Sequence, residues 1–259
     1  MTAKRRSLFY TTICLLWQYV HTFTPEMRGK ARFFLDTADP NEWDKWLPTG
    51  IFTGVTTNPL LLERAQQPCT VPHLHTLCHR ALQHVDEIMV QTWAGISEDA
   101  VAAMYQRGME LSAPSRDKIV IKVPTTFEGT QVASQLIQSG CRVCLTVGYD
   151  PPKQALLATT VGAEYLAPYH GRLADQWQSP TQATQACIHA HQVVQGLKGH
   201  TRILVASLRS TDTLVELAAA GLDTFTFSPD VAAQLFDTPA TETAARDFEA
   251  AALRMSSGL

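Results

Sequence analysis

The sequence predicts an α/β fold, a single (β/α)8 TIM barrel. Eight short apolar runs lie between residues 32 and 227, and a helix-capable stretch follows nearly every one. A doubly wound dinucleotide-binding sheet would need a G-x-G-x-x-G turn after its first strand, and this chain has none there. No fixed-period repeat and no low-complexity linker interrupts the region, so we expect one barrel domain over residues 31–259.

Most of the predicted strands are continuous apolar runs rather than alternations of apolar and polar residues. That pattern is typical of parallel strands that are covered on both faces. In chain order the predicted strands are Arg32–Asp36, Ile51–Val55, Glu87–Gln91, Ile119–Val123, Arg142–Thr146, Glu164–Ala167, Arg202–Ser207 and Asp223–Phe227.

The segments between the strands carry helix signals. Clear examples are Thr130–Ser139, Pro152–Thr160 and Thr211–Ala220. A glycine, the residue best suited to a left-handed helix cap, follows each of them within two positions. These glycines are Gly140, Gly162 and Gly221.

Composition limits the classes of protein that the chain can represent. Of its 259 residues, 45% are hydrophobic and 17% are charged, which allows a large core and excludes wholesale disorder. The formal net charge is −3, so the chain lacks the strongly basic character of a nucleic-acid-binding protein. The six cysteines form no disulfide framework, and the Cys141–Cys144 pair lacks the second half of a zinc site. We therefore expect reduced thiols, a non-oxidising compartment and no metal.

Residues 1–30 differ from the rest of the chain and form a predicted N-terminal extension. Three basic residues at 4–6 precede a mostly apolar run over 8–20, which fits a signal-peptide core and is short for a membrane span. No small-residue cleavage site follows that run. A transit peptide is the second interpretation, and a working domain that starts near Met27 is the third. We expect a cytoplasmic barrel without a membrane partner, or an organellar one, for example in a plastid, if the extension is a transit peptide.

Polar residues collect at the predicted carboxyl ends of the strands, where barrels of this type carry their functional sites. In strand order they are Asp36, Thr56 with Asn58, Gln91, Lys122, Thr146, Tyr169 with Arg172, and Ser207 with Arg209. Because they come from so many strands, we expect them to converge on one rim of the barrel.

Lys122 is the most informative of these residues. Ile121 and Val123 flank it in an apolar strand, and burial of an inward-pointing side chain would disfavour the charged ammonium form. A neutral amine can attack a carbonyl group and form a Schiff base, whose iminium accepts electrons from a neighbouring C–C bond. The alternative is a lysine at a strand edge with its ammonium group in solvent.

The first two strand ends suggest supporting roles, each with a structural alternative. Asp36 could serve as a general acid or base near the amine, or it could cap a helix that follows Pro40. Thr56 and Asn58 could hold substrate hydroxyls, whereas Asn58 followed by Pro59 is also a common turn signal.

The last strand ends suggest an anion site. Arg172 and Arg209, together with the Ser207 hydroxyl, could form a phosphate cradle, because guanidinium groups bind phosphate through two parallel hydrogen bonds. The alternative for the two arginines is an ordinary solvated surface position.

Six ordered motifs carry a family resemblance that extends from Arg32 to about Phe248. They are Phe-Leu-Asp-Thr-Ala at 34–38, Gly-Val-Thr-Thr-Asn-Pro at 54–59, Ile-Lys-Val-Pro at 121–124, Gly-Ala-Glu-Tyr-Leu-Ala-Pro-Tyr at 162–169, Ala-Ser-Leu-Arg at 206–209 and Ser-Pro-Asp-Val-Ala at 228–232. In these motifs the chain resembles the transaldolase family, and within it the small fructose-6-phosphate aldolases. The resemblance implies a Schiff base on Lys122, proton transfer by Asp36, and no cofactor. It also implies substrate contacts at Thr56 and Asn58 and a phosphate site at Arg172, Ser207 and Arg209.

Three positions distinguish the two subgroups of this family. The resemblance implies a water for proton transfer, which the fructose-6-phosphate aldolases hold with Gln, Thr and Tyr, as at Gln91, Thr146 and Tyr169. Transaldolases usually carry Glu in place of Gln91, an Asn-x-Thr that ends at Thr146, and Phe in place of Tyr169. The Gly171-Arg172 pair is closer to the transaldolases.

The resemblance implies a class I aldolase that reversibly cleaves fructose 6-phosphate to dihydroxyacetone and glyceraldehyde 3-phosphate. The first alternative is a transaldolase of the pentose phosphate pathway, which transfers the dihydroxyacetone unit to another sugar phosphate. The second is a barrel that binds sugar phosphates without catalysis. Small family members form pentamers or decamers through C-terminal helices, and the alanine-rich segment Thr241–Met255 allows such packing on a neighbouring subunit.

Overall fold

The protein is described by a computed structural model, which covers residues 31–96 and 99–256. Eight parallel strands close into a barrel in chain order, and the last strand pairs back with the first. The predicted fold class is therefore confirmed. The extension predicted for residues 1–30 lies outside the described residues.

The strands and helices alternate along the chain. The strands are β1 (Arg32–Asp36), β2 (Phe52–Thr56), β3 (Glu87–Gln91), β4 (Ile119–Pro124), β5 (Arg142–Gly148), β6 (Tyr165–Pro168), β7 (Arg202–Val205) and β8 (Thr224–Phe227). The helices are α1 (Pro40–Trp46), α2 (Pro59–Arg64), α3 (Val71–Ala81), α4 (Ala100–Ser112), α5 (Phe127–Gln138), α6 (Pro151–Val161), α7 (His170–Trp177), α8 (Pro180–Gly196), α9 (Thr211–Ala219), α10 (Pro229–Gln234) and α11 (Pro239–Ser256).

The predicted strand bounds were wrong by two residues at the ends of β5 and β7. β5 continues to Gly148 through an irregularity in its pairing with β6, at which Val147 has a φ of 63°. β7 ends at Val205, and the prediction extended it to Ser207. Ser207 has a φ of 60°, which an extended strand does not allow. The other strands agree with the prediction to within one residue at each end.

Capping residues set the helix bounds. α5 begins three residues before the predicted start, because the Thr126 hydroxyl accepts a hydrogen bond from the Gly129 backbone N–H at 3.0 Å and so caps the helix earlier. The three glycines predicted to follow helices all have left-handed backbone conformations, with φ values of 78°, 84° and 96° in chain order.

Alternate residues of each strand point into the barrel or toward the surrounding helices. On β4, Ile119, Ile121 and Val123 pack in the layer between strands and helices, whereas Val120 packs inside the barrel. Lys122 lies two positions after Val120, on the same face of the strand, and its side chain therefore points into the barrel.

A buried charged cluster closes the end of the barrel where the strands begin. Glu87 is 2% exposed, pairs with both Arg32 and Arg142, and accepts a hydrogen bond from the Tyr165 hydroxyl at 2.9 Å. Burial by itself lowers the pKa of Arg142, but the hydrogen bond with Glu164 and the charge of Glu87 raise it well above its ordinary value. In barrels of this type the end at which the strands begin contributes to stability, whereas functional sites lie at the carboxyl ends of the strands.

The last helix lies at the surface and has no buried residue. Its side chains Phe248, Leu253 and Met255 are exposed. Packing of this helix on a neighbouring subunit stays a prediction. Within the described residues, no helix has both the length and the apolar character needed to span a membrane.

Candidate active site

Six of the predicted residues lie at or near the carboxyl ends of their strands and on the strand face that points into the barrel. Most lie two positions after an interior residue, as Lys122 follows Val120 and Asp36 follows Phe34. Because side chains alternate along a strand, the six point inward at the carboxyl end of the barrel. They are Asp36, Thr56, Gln91, Lys122, Thr146 and Tyr169.

A cleft with a volume of about 100 Å³ opens to solvent at this end of the barrel. Six of the ten predicted site residues line it, namely Asp36, Asn58, Lys122, Tyr169, Arg172 and Ser207. The other four, Thr56, Gln91, Thr146 and Arg209, do not. Four residues that sequence reasoning missed also line it: Leu60, Leu61, Arg64 and Ala206. Within the described part of the chain, no group of three or more His, Cys, Asp or Glu side chains could hold a metal ion.

Lys122 is buried at the floor of this cleft. Its side chain is 3% exposed, and its Nζ donates a hydrogen bond to the Thr57 carbonyl oxygen at 3.0 Å. This placement excludes the alternative of a strand-edge lysine with its ammonium group in solvent. Cys144 lies beside Lys122 in the β4–β5 register. Burial raises the pKa of the Cys144 thiol to about 12, although the charge of Lys122 acts to lower it, so the thiol stays protonated at neutral pH.

Two threonine hydroxyls orient Asp36. The fully buried Thr56 donates to Asp36 Oδ1 at 2.6 Å, and the Thr226 hydroxyl bonds in turn to the Thr56 hydroxyl. Thr56 therefore lies behind Asp36, where it fixes the carboxylate rather than lining the cleft. The alternative of Asp36 as a helix cap is wrong, because Asp39 caps α1 by accepting from the Asn41 backbone N–H at 2.9 Å.

Asn58 has a local structural role and also lines the cleft. Its Oδ1 accepts hydrogen bonds from the backbone N–H groups of Leu60 and Leu61, both at 3.0 Å, and so caps α2. Asn58 itself has an extended backbone and serves as a helix cap, so the turn that Asn58 followed by Pro59 would signal is not formed. Because the cap uses only the amide oxygen, the Nδ2 group stays free to donate to a substrate hydroxyl.

The three residues predicted to hold a water are only partly connected. The hydroxyls of Thr146 and Tyr169 are hydrogen-bonded at 2.9 Å, and Tyr169 is 8% exposed. The Thr146 carbonyl accepts bonds from the Thr125 backbone N–H at 2.9 Å and hydroxyl at 2.7 Å, which fixes the chain just before the irregularity in β5. Gln91 is half-buried at the end of β3 and lies next to Lys122 in the strand register.

Arg172 and Ser207 form the side of the cleft predicted to bind phosphate. The guanidinium carbon of Arg172 lies 4.8 Å from the centroid of the Tyr169 ring, which is a cation–π contact. Ser207 has a left-handed backbone, and its carbonyl accepts a hydrogen bond from the Gly171 N–H at 3.0 Å. A Cβ at position 171 would lie 2.3 Å from that carbonyl oxygen, so glycine is needed for this close approach.

Arg209 is turned away from the cleft. Both of its terminal nitrogens bond the Asp175 carboxylate, one of them at 2.7 Å, and both side chains are exposed. Its Nε nevertheless lies close to Ser207, because a Cβ at Gly171 would come within 2.9 Å of Arg209 Nε and 3.1 Å of Ser207 Oγ. Of the three residues predicted to bind phosphate, Arg172 and Ser207 therefore line the cleft, whereas Arg209 pairs with the Asp175 carboxylate.

Comparison with known proteins identifies the family. The sequence model of the transaldolase/fructose-6-phosphate aldolase family matches residues 33–257. The chain is 33% identical over 221 residues to a probable transaldolase of Anaeromyxobacter dehalogenans, which covers 84% of this chain and 94% of that protein. It is 31% identical over 215 residues to a probable transaldolase of Hyphomonas neptunium, which covers 82% of this chain and 92% of that protein.

A solved structure supports the fold alone. The crystal structure of citrate synthase SbnG matches with a TM-score of 0.52 at 14% identity, over 88% of this chain and 95% of that chain. Similarity at so low a sequence identity does not indicate the function of this chain, because proteins with unrelated activities share this fold. The family model and the relatives instead indicate an enzyme of the aldolase or transaldolase type. The resemblance of the six motifs to the transaldolase family is confirmed, and the chain belongs to the transaldolase/fructose-6-phosphate aldolase family.

Proposed function

We propose that the protein is a class I aldolase that reversibly cleaves fructose 6-phosphate to dihydroxyacetone and glyceraldehyde 3-phosphate. The observation that carries the proposal is the buried Lys122 amine, which opens into the same cleft as Asp36, Tyr169 and Arg172. A nucleophile, a carboxylate, a phenol and a guanidinium group are the set of groups that Schiff-base cleavage of a sugar phosphate needs.

Binding orients the substrate along the cleft. The phosphate lies against Arg172 and Ser207, and Arg209, two residues after Ser207, can join them if it leaves Asp175. Guanidinium groups bind phosphate through charge-assisted hydrogen bonds, so this end fixes the sugar and brings its carbonyl carbon to Lys122.

Cleavage then follows from the groups around Lys122. Its Nζ attacks the carbonyl carbon C2, and loss of the carbonyl oxygen as water leaves an iminium, with Asp36 supplying the proton. The C3–C4 bond breaks, and its electron pair moves to the iminium to give an enamine. The proton of the C4 hydroxyl passes to a water held by the Thr146 and Tyr169 hydroxyls, and glyceraldehyde 3-phosphate leaves. Protonation of the enamine at C3 and hydrolysis release dihydroxyacetone and restore the amine.

A transaldolase is the second candidate, and two observations favour it. The curated relatives carry that name, and Gly171-Arg172 matches its pattern. In that reaction the enamine attacks an aldose phosphate instead of being protonated and hydrolysed. Gln91 supports the aldolase, because an amide can orient a water but cannot accept its proton as a carboxylate does. The phenol of Tyr169 then shares the proton transfer.

Fructose 6-phosphate supplied with and without erythrose 4-phosphate separates the two reactions. We expect glyceraldehyde 3-phosphate to form without the acceptor, at a rate similar to that with it. Formation that strictly requires erythrose 4-phosphate would contradict the aldolase and establish the transaldolase. A barrel that only binds sugar phosphates would form no product in either mixture and would give no borohydride-stable adduct.

A further inference from the structure

The aromatic ring of Tyr149 lies against the ring of Tyr169, the phenol to which the reaction above gives a role in proton transfer. The two ring centroids are 6.1 Å apart and the ring planes meet at 68°, which is an edge-to-face contact. Tyr149 is half-buried and packs against the cluster inside the barrel that contains Tyr169. It does not line the cleft, so it contacts the phenol and not the space that a substrate would fill.

An extra residue in β5 turns Tyr149 toward the inside of the barrel. Thr146 points inward, so regular alternation would point Tyr149, three positions later, at the surrounding helices. From Leu145 to Gly148, however, β5 advances three residues while the paired stretch of β6 advances two, which is a β-bulge with one extra residue. The extra residue reverses the alternation, and Tyr149 therefore packs with the interior cluster.

This bulge has an unfavourable backbone. Val147 has a φ of 63°, in the left-handed region that β-branched residues rarely adopt. A Cβ at Gly148 would lie 2.7 Å from Pro168 Cα and 2.8 Å from the Ala167 carbonyl oxygen, so only glycine fits there. Strained backbone persists where the surrounding structure holds it in place, most often at functional sites. The direction of Tyr149 is therefore a candidate functional feature.

β5 and the residue that follows it contact Tyr169 at three points. The Thr146 hydroxyl bonds the Tyr169 hydroxyl at 2.9 Å, and the Gly148 carbonyl accepts a hydrogen bond from the Tyr169 backbone N–H at 3.1 Å. The ring of Tyr149 supplies the third contact. The guanidinium carbon of Arg172 lies 4.8 Å from the centroid of the same Tyr169 ring. Hydroxyl, backbone and ring of Tyr169 are thus all held in place.

We propose that Tyr149 is a positioning residue, which holds the Tyr169 ring so that the Tyr169 hydroxyl meets the water that accepts the substrate proton. The inference rests on the proposed function and adds a residue that acts through Tyr169. Proton transfer requires that the two groups lie within hydrogen-bond reach, and a small misplacement of a reacting group lowers the rate. Because the contact is between rings, a phenylalanine at position 149 should position Tyr169 as well as tyrosine does.

The test measures kcat for release of glyceraldehyde 3-phosphate from fructose 6-phosphate with saturating erythrose 4-phosphate. Both candidate reactions release this product under these conditions. Tyr149→Leu should lower kcat by about 3- to 10-fold, the value of an aromatic pair, whereas Tyr149→Phe should keep at least about half of the wild-type kcat. When Tyr149→Leu is added to Tyr169→Phe, kcat should fall by less than about 1.5-fold, because no hydroxyl remains to be positioned.

Phe236→Leu is the matched control. The ring centroid of Phe236 also lies 6.1 Å from that of another aromatic residue, Trp46, but this pair lies outside the cleft. Its loss should leave kcat unchanged. A loss of kcat in Phe236→Leu equal to that in Tyr149→Leu would show a general effect of aromatic packing and would overturn the inference.

Two further results would overturn the inference while leaving the proposed function intact. One is a Tyr149→Leu enzyme, folded by circular dichroism, with the kcat of wild type. The other is an equal loss of kcat from Tyr149→Leu in the wild-type and Tyr169→Phe proteins, since a structural defect would act in both. If Tyr149→Leu does not fold, Tyr149→Met takes its place with the same expected results. Absence of product and of any borohydride-stable adduct in wild type would instead overturn both proposals.

Discussion

Replacement of Tyr169 by Phe tests the role of the phenol hydroxyl separately from the role of the aromatic ring. The change removes the oxygen that lies 2.9 Å from the Thr146 hydroxyl and keeps the ring under the Arg172 guanidinium group. If the hydroxyl carries the proton during C–C cleavage, kcat should fall by about 10²- to 10⁴-fold, the range for loss of a positioned acid or base. KM for fructose 6-phosphate should change by less than about threefold, because the cation–π contact of Arg172 is retained.

The companion change Tyr169→Leu removes the ring as well. Loss of a cation–π contact at this partly solvated position is worth about 0.5–1 kcal/mol, so KM should rise roughly two- to fivefold beyond the effect of the Phe variant. We therefore expect that loss of the hydroxyl lowers kcat and that additional loss of the ring raises KM. Both are measured with purified enzyme by coupling glyceraldehyde 3-phosphate release to NADH formation.

Tyr105→Phe is the matched control. The Tyr105 hydroxyl also lies 2.9 Å from another hydroxyl, that of Ser139, but outside the cleft. Each Phe variant should lose about 0.5–1.5 kcal/mol of unfolding free energy for one hydrogen bond, while only Tyr169→Phe should lose activity. A Tyr169→Phe enzyme with more than half of the wild-type kcat would refute the proposed proton transfer. An equal loss of activity in Tyr105→Phe would show that the effect is structural.

Three further outcomes are expected. Glu87→Gln leaves two guanidinium groups at the bottom of the barrel without their shared carboxylate, so urea unfolding should show a loss of about 3–5 kcal/mol, and a loss below about 1 kcal/mol would contradict the account. Burial lowers the pKa of His170 below its usual 6.5, against the charge of Glu216 and with a smaller contribution from that of Arg209. The unfolded chain therefore binds the proton more readily, and stability should fall as pH drops below about 6.5. His170→Gln should lose that part of the dependence in urea titrations from pH 7.5 to 5.5, and an unchanged profile would contradict the assignment. Asp175→Ala frees Arg209 for phosphate, and kinetics should show KM for fructose 6-phosphate two- to fivefold lower, whereas a higher KM would indicate that the carboxylate positions Arg209 for binding.

Most of the fold was predictable because parallel strands buried on both faces are conspicuous in sequence. Uninterrupted apolar runs gave six of the eight strands to within one residue at each end. The ends of β5 and β7 were wrong, because Val147 and Ser207 have left-handed backbones that their residue types do not signal. Both positions adjoin cleft or site residues, where local rules are most often broken.

The site was predictable in part from the alternation of side chains along each strand. That alternation places the side chains of Lys122 and Asp36 inside the barrel, and it also predicts an inward position for Thr226, a polar residue in a strand that contains two phenylalanines. Two features had no comparable signal. Arg64 comes from a helix and not from a strand end, and the pairing of Arg209 with Asp175 depends on rotamers that spacing does not encode.

Covalent trapping on Lys122 tests the central claim most directly. Wild-type protein and Lys122→Met are incubated with fructose 6-phosphate and sodium borohydride, digested, and mapped by mass spectrometry. We predict that wild type gains one reduced three-carbon unit on the peptide that contains Lys122, and that Lys122→Met gains none. An adduct on another lysine, or an adduct that persists in Lys122→Met, would contradict the account.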